Sequence, residues 1–176
     1  ADGMRGMAVT DHGVMYGIKE LADYCAGVNK KRKEEGLEPF KPILGCEMYV
    51  ARRRKEDKVK EMGDNSGYHL IVLAKNYNGY KNLIKLVSNA WTDGYYYRPR
   101  TDRADLERYH EDLIVCSACI AGEVPSKILH GDIEGAHETD SYLVCRLLLE
   151  KKKKQKIKKN HPGLDGYIAL SSGVFS

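Results

Sequence analysis

Met7-Ala-Val-Thr-Asp-His-Gly13 is the stretch around which the rest of the sequence is organised. Its first four residues predict a buried strand, and Gly13 permits a sharp backbone turn directly after it. Asp11 and His12 would therefore lie together at the carboxyl end of a strand, where ligands and metal ions bind in α/β folds. A solvated Asp-His pair at an ordinary strand exit explains the same residues, and this stretch alone favours that simpler explanation.

Composition indicates a soluble globular protein. The 176 residues fit one domain, 42% of them are hydrophobic, 31% are charged, and the net charge is +4. No apolar run approaches the ~20 residues of a membrane helix, and the N-terminal segment lacks the pattern of a signal peptide. The odd number of cysteines predicts free thiols in a reducing cytoplasm. The basic excess, much of it in Lys151–Lys159, permits nucleic-acid or phosphate binding without establishing it.

Apolar residues recur along the chain with strand and helix periods in turn. This alternation predicts an α/β architecture with a largely parallel sheet or barrel. The charged residues between Ala51 and Gly67 predict an exposed loop. The predicted strands are 7–10, 43–50, 68–74 and 113–116, and the predicted helices follow residues 17, 76 (capped by Asn76), 124 and 132.

Two strand residues are candidates for chemistry. Glu47 lies among apolar neighbours, where a carboxylate is unfavourable unless it is paired or bound to a cation. A strand face open to solvent would also explain it. His69 begins its strand, and a lone strand histidine is more often a hydrogen-bonded core residue than a ligand. In a purely parallel barrel, His69 would lie at the rim opposite to His12.

Tyr95-Tyr-Tyr-Arg-Pro-Arg100 combines three aromatic rings with two guanidinium groups. Arg98 and Arg100 predict a weak contact with nucleic acid, because aromatic rings stack on bases and arginines bind phosphates. Alternatively, the tyrosines pack against the neighbouring helix and the arginines pair with Asp102 and Asp105. The sequence leaves both possibilities open.

Five stretches together resemble one family, the PHP (polymerase and histidinol phosphatase) domain of bacterial replicative DNA polymerase III alpha subunits. The resemblance runs from about residue 3 to about residue 138 and follows the order of the family. It implies a distorted (β/α)7 TIM-like barrel of the PHP type with metal ligands at one rim, incomplete in this chain. The matching stretches are 10–17, 45–51, 68–76 with 79–83, 96–100 and 117–124.

The resemblance also implies a metal site. Carried onto this sequence, the ligand roles fall on His12, Glu47, His69 and Cys119. Imidazole, thiolate and carboxylate suit zinc, whereas oxygen-rich positions suit manganese or magnesium. The family's opening His-x-His segment and its later aspartate and histidine ligands have no counterpart here. We therefore expect an incomplete site with weak metal binding, in a chain that lacks its first strand and its C-terminal part.

The same resemblance implies a division into domains and a function. Residues 1–138 would form a partial PHP domain, and residues 139–176 a divergent or non-homologous basic tail. The chain would act in DNA replication through a parent DNA-directed DNA polymerase, whose catalytic acidic residues lie downstream, so no catalytic residue is assigned here. The expected partners are DNA, the proofreading exonuclease and the sliding clamp, in the cytoplasm and without a membrane.

Two other hypotheses compete with this function. The chain could be a stand-alone metal-dependent phosphoesterase of the PHP superfamily, or a non-catalytic interaction module whose metal site has lapsed. The stretches 96–100 and 117–124 favour the polymerase branch, and the missing ligands favour the interaction module.

Overall fold

The computed structural model describes residues 3–139, in which strands and helices alternate. This confirms the predicted α/β class, and none of the described helices is long and apolar enough to cross a bilayer. Residues 133–139 are helical, and the rest of the helix predicted from residue 132 lies outside the described residues. In chain order the elements are β1 (Gly6–His12), α1 (Gly17–Glu34), β2 (Lys41–Ala51), β3 (Gly67–Ala74), α2 (Tyr77–Thr92), β4 (Arg100–Thr101), α3 (Arg103–Tyr109), β5 (Leu113–Ser117) and α4 (Glu123–Leu129).

The five described strands form one sheet. Its order is β1-β2-β3-β5, and β4 pairs with β2. Strands β1 and β4 run parallel to β2, whereas β3 is antiparallel to both β2 and β5. The prediction of a largely parallel sheet is therefore wrong at β3. Within residues 3–139 the sheet is open, and a seven-unit barrel stays a prediction.

The direction of β3 follows from the connection that precedes it. A parallel neighbour needs a crossover, usually an α-helix, whereas an antiparallel neighbour needs only a loop. Residues 52–66 contain a single 3-10 turn, Lys60–Met62, and no α-helix. As a result, His69 at the start of β3 pairs with Tyr49 near the end of β2. The reversal places His69 at the same edge as His12, which removes the conflict raised by a parallel barrel.

The hydrophobic core lies on the face of the sheet that α2 covers. Alternate residues of β2 enter it, as expected for the period of two in a strand. From α2 the core takes Leu83, Leu86 and Ala90, whereas Ile84 and Trp91 on the same helix remain 40% and 44% exposed. The buried cluster consists of Cys46, Met48, Val50, Leu70, Val72, Leu83, Leu86, Ala90 and Leu113.

The loop between β2 and β3 is mostly exposed, as predicted, but two of its charged residues are buried and anchor it. Lys55 and Asp64 are buried, at 8% and 1% exposure. The Lys55 ammonium donates to Asp105 at 2.6 Å, and the Arg53 guanidinium donates to Asp64. That arginine holds the pKa of Asp64 below its usual range. Charged residues dominated the sequence signal here, but their pairing brings part of the loop inside.

The helix α2 begins at the cap that the sequence predicts. The Asn76 side-chain oxygen accepts a hydrogen bond from the Gly79 N–H at 3.0 Å. Replacement of Asn76 by alanine is expected to lower the free energy of unfolding by about 1 kcal/mol, because a helix-terminal N–H loses its partner. Asn76→Asp keeps an acceptor and should retain most of the stability. Urea unfolding of both variants provides the measurement, and equal losses would contradict a capping role.

Candidate metal centre

The four predicted ligands converge at one edge of the sheet. His12 ends β1, Glu47 lies on β2, His69 is the third residue of β3, and Cys119 follows β5. The Glu47 carboxylate lies between the imidazoles, with one oxygen 3.0 Å from His12 Nδ1 and the other 2.7 Å from His69 Nδ1. The Cys119 Sγ lies 3.5 Å from the same nitrogen of His69. Ligand atoms of Glu47, His69 and Cys119 fall within 4.8 Å of one another.

The four side chains differ in their access to solvent. The side chains of Glu47 and His69 are 13% and 26% exposed, whereas that of His12 is 69% exposed. Cys119 is also exposed. The cluster therefore has a half-buried base, made by Glu47 and His69, and an open side bordered by His12 and Cys119. A ligand from solvent would approach from that open side.

The donor set fits a divalent metal ion. It offers imidazole nitrogen, carboxylate oxygen and thiol sulfur, the three ligand types of zinc sites. The 4.8 Å limit on the separations within the triad is close to the width of a coordination sphere with bonds of about 2.0–2.3 Å. His12 lies outside that triad and reaches it only through Glu47. The structure thus supports a three-residue site, with His12 as a fourth ligand if its exposed ring moves.

The neighbouring residues Asp11 and His12 at the end of β1 have different roles. Successive strand residues point to opposite faces, so His12 turns towards Glu47 and Asp11 turns away. An Asp11 carboxylate oxygen accepts a hydrogen bond from the Gly17 N–H, the first residue of α1, at 2.8 Å. In this arrangement Asp11 serves the fold, as its negative charge at a helix N-terminus is favourable.

The turn after β5 determines the position of Cys119. The His69 N–H donates to the Ala121 carbonyl at 3.1 Å, which attaches the turn to the start of β3. A Cβ on Gly122 would approach the carbonyl oxygens of Cys119 and His69 to 3.1 and 3.3 Å, so a larger residue would crowd the turn. The carboxylate of Glu123 at the start of α4 accepts a hydrogen bond from Arg103 and forms an ion pair with Lys127 at 3.1 Å. These contacts fix the loop that carries the thiol.

Tyr49 is a residue of the site that sequence reasoning did not single out. Its ring lies edge-on to the His69 ring, with the centroids 5.1 Å apart and an angle of 82° between the planes. Tyr49 is only 8% exposed, so it shields one side of the histidine. The signal that could have found it is the strand period, because Tyr49 follows Glu47 by two residues and shares its face.

The two arginines of the Tyr-Arg stretch, residues 95–100, have different environments. Arg98 is exposed and lies over the Tyr49 ring, 5.6 Å from its centroid. Arg100 has no exposed surface, and its guanidinium donates to main-chain carbonyls. A nucleic-acid contact is therefore wrong for Arg100, because its donors are used inside the protein. The predicted ion pairs with Asp102 and Asp105 are not formed by Arg100 either, since Lys55 binds both aspartates.

The features above define a class: an α/β domain that gathers imidazole, carboxylate and thiol groups at one edge of its sheet, as metal-dependent domains do. A comparison with protein families matches residues 1–169 to the PHP domain. The chain belongs to the PHP domain family. This match passes residue 138, and the proposed division at that residue stays a prediction.

Curated relatives point in the same direction. DNA polymerase III subunit alpha of Borreliella burgdorferi is 44% identical over 133 residues, which cover 76% of this chain and 11% of the relative. The proteins of the same name from Treponema pallidum and Thermus aquaticus are 40% and 38% identical, over 77% and 73% of this chain and 11% and 10% of theirs. The chain thus spans about a tenth of the length of these relatives.

Proposed function

We propose that this chain is part of a replicative DNA polymerase III alpha subunit and acts in DNA replication through that longer polymerase. The observation that carries this proposal is the similarity to relatives of that name, at 44% identity over 133 residues. In the parent chain, template-directed nucleotidyl transfer belongs to segments beyond the PHP domain, and no residue here is assigned to it. DNA, the proofreading exonuclease and the sliding clamp are the proposed partners, in the cytoplasm.

Within that polymerase, the proposed role of this domain is metal binding in support of the structure or of proofreading. His12, Glu47, His69 and Cys119 would hold zinc, manganese or magnesium. A bound ion supplies an activated water and binds phosphate oxygens during phosphodiester hydrolysis. The chain's own residues prepare the site: Glu47 orients both imidazoles, Tyr49 shields His69 from water, and the turn at Gly122 presents the thiol. The proposed fold of the complete domain is the PHP barrel.

The alternative is a stand-alone phosphoesterase of the PHP superfamily, which could use the same cluster of side chains. The two proposals differ in what surrounds this segment in its gene. Sequencing of the reading frame on both sides is expected to reveal a long polymerase chain with acidic catalytic residues downstream. A stop codon shortly after the barrel would instead support the phosphoesterase.

Selective protection of Cys119 is the expected sign of metal binding. The chain provides its own control, because Cys116 is also an exposed, free cysteine. Alkylation at pH 8 should modify both residues in the metal-free protein, and zinc should slow modification of Cys119 by about tenfold or more, because a coordinated thiolate is a poor nucleophile. Burial raises the pKa of the Cys46 thiol to about 12, so Cys46 should stay unmodified throughout.

Peptide mass spectrometry at successive times measures each cysteine separately. Equal slowing at Cys116 and Cys119 would indicate a general effect of zinc, and no slowing at Cys119 would exclude it as a ligand. Rapid labelling of Cys46 would show that the protein had unfolded.

A further inference from the structure

The residues around Arg98 hold the backbone in an unusual conformation. Tyr96 and Arg98 are joined by a β-bridge, with the Tyr96 N–H donating to the Arg98 carbonyl at 3.1 Å. Between them, Tyr97 has a φ of 59°. A bulky residue rarely adopts this left-handed conformation unless the surrounding structure requires it, and such positions concentrate at functional sites. The tight turn fixes where the Arg98 side chain leaves the backbone.

This turn is anchored directly beside the metal-ligand cluster. Pro99 is buried and lies so close to Gly13 that a Cβ on Gly13 would approach its ring to 2.8 Å. The same Cβ would also meet the Tyr49 ring at 3.2 Å. Gly13 therefore allows the strand that ends in His12 and the turn that carries Arg98 to pack against each other. The next residue, Arg100, attaches the turn to the protein interior.

The Arg98 side chain reaches the cluster through a shared ring. Its guanidinium lies 5.6 Å from the Tyr49 ring, and that ring contacts His69. The arginine is exposed, and within residues 3–139 its guanidinium forms no hydrogen bond or ion pair. A cation held over an aromatic ring with its donors unused is pre-organised for an anion, since it keeps its position without a competing carboxylate.

We propose that Arg98, supported by Tyr49, forms an anion subsite beside the metal-ligand cluster that binds the phosphate group of the substrate. The guanidinium would donate two parallel hydrogen bonds to phosphate oxygens, the geometry that arginine provides and lysine does not. The subsite also depends on the proposed metal site. The Glu47 carboxylate would repel a phosphate in the absence of a metal ion, so Arg98 and the ion are both needed.

Phosphate binding to the metal-loaded protein tests this proposal without an activity assay. Calorimetric titration with inorganic phosphate compares the wild type with Arg98→Ala, Arg98→Lys and Arg52→Ala. Arg52 is the matched control, because it is exposed and its guanidinium also lies over a tyrosine ring, 4.4 Å from the centroid of Tyr68. We expect Arg98→Ala to weaken phosphate binding by about tenfold or more and Arg52→Ala by less than about twofold, as for loss of one charge-assisted pair.

The conservative variant separates charge from geometry. Arg98→Lys is expected to fall between the wild type and Arg98→Ala, because the charge remains and the paired donors are lost. Titration with a short single-stranded oligonucleotide, with and without a 5′ phosphate, identifies the source of the anion. A terminal phosphate that increases affinity only when Arg98 is present indicates a strand end, and equal affinities indicate an internal phosphodiester.

Two failures can be told apart. A wild-type chain that takes up neither zinc nor manganese would overturn the proposed metal site and the subsite with it. Normal metal uptake by the wild type and all variants, with phosphate affinity unchanged in Arg98→Ala or reduced equally in Arg52→Ala, would overturn the subsite alone.

Discussion

Replacement of Glu47 by glutamine is expected to weaken zinc binding by at least about 100-fold, because this carboxylate is the group that contacts both imidazoles. Loss of supporting residues around a metal site alone lowers affinity by about 10- to 100-fold, and Glu47 is both a candidate ligand and such a support. The amide keeps the shape of the side chain but removes its negative charge. Direct titration with zinc and manganese measures the change.

The fold should survive this substitution. Glu47 lies outside the buried hydrophobic cluster, on the face of the sheet that carries the site, and a neutral amide is easier to bury than a carboxylate. Thermal unfolding of the metal-free variant should therefore occur at or above the temperature of the wild type. Glu38→Gln, which changes an exposed glutamate in the same way, is the control and should bind metal normally. Unchanged zinc affinity in Glu47→Gln would exclude the proposed centre.

The local elements could be predicted because each depends on neighbouring residues. The strand before Gly13, the cap at Asn76 and the alternation of strands and helices follow from side-chain periodicity and from the conformations that glycine and asparagine permit. Gly13 has a positive φ value, as its position directly after a strand suggested. These predictions needed no knowledge of which strands pair.

Strand direction could not be predicted in the same way. An apolar run such as that of β3 is compatible with either direction, because the period of two is the same in both. The one available signal was negative: the segment between Ala51 and Gly67 showed no helical pattern that could carry a crossover. Because β3 is antiparallel, His69 lies at the same edge of the sheet as His12, which is where the family resemblance requires a metal ligand.

The Tyr-Arg stretch shows a second limit. Arg98 and Arg100 flank one proline and have the same chemistry, so composition alone gives them equal roles. They differ in their surroundings, which come from residues more than 30 positions away in the chain: Tyr49 for one, and the carbonyls of Lys55 and Asp64 for the other. Long-range contacts of this kind determine whether an arginine side chain is exposed to solvent or buried with its donors hydrogen-bonded.

Replacement of Arg100 by methionine is expected to have the largest effect on stability, a loss of about 3–5 kcal/mol in the free energy of unfolding. The guanidinium, with no exposed surface, donates to the carbonyls of Gly94 at 3.1 Å and of Asp64 at 2.7 Å. It also donates to those of Lys55 at 2.7 Å and Asp57 at 2.9 Å. Methionine fills much of the volume but leaves several buried carbonyls without a donor, and each such group is unfavourable.

Arg100→Lys tests whether the fork geometry matters, because an ammonium is a point charge whose three donors leave from a single nitrogen. We expect Arg100→Lys to recover less than half of the free energy of unfolding that Arg100→Met loses. Arg98→Met is the matched control in the same turn and should change the free energy of unfolding by less than about 0.5 kcal/mol, as an exposed side chain. Urea unfolding measures the stability of all three variants. Trypsin cleavage after the basic residues of the loop 52–66 should accelerate most in Arg100→Met, because that loop loses its anchor. Equal stability of Arg100→Met and Arg98→Met would contradict the view that one buried guanidinium organises the turn, the loop and, through Pro99 and Gly13, the edge of the sheet where the metal ligands meet.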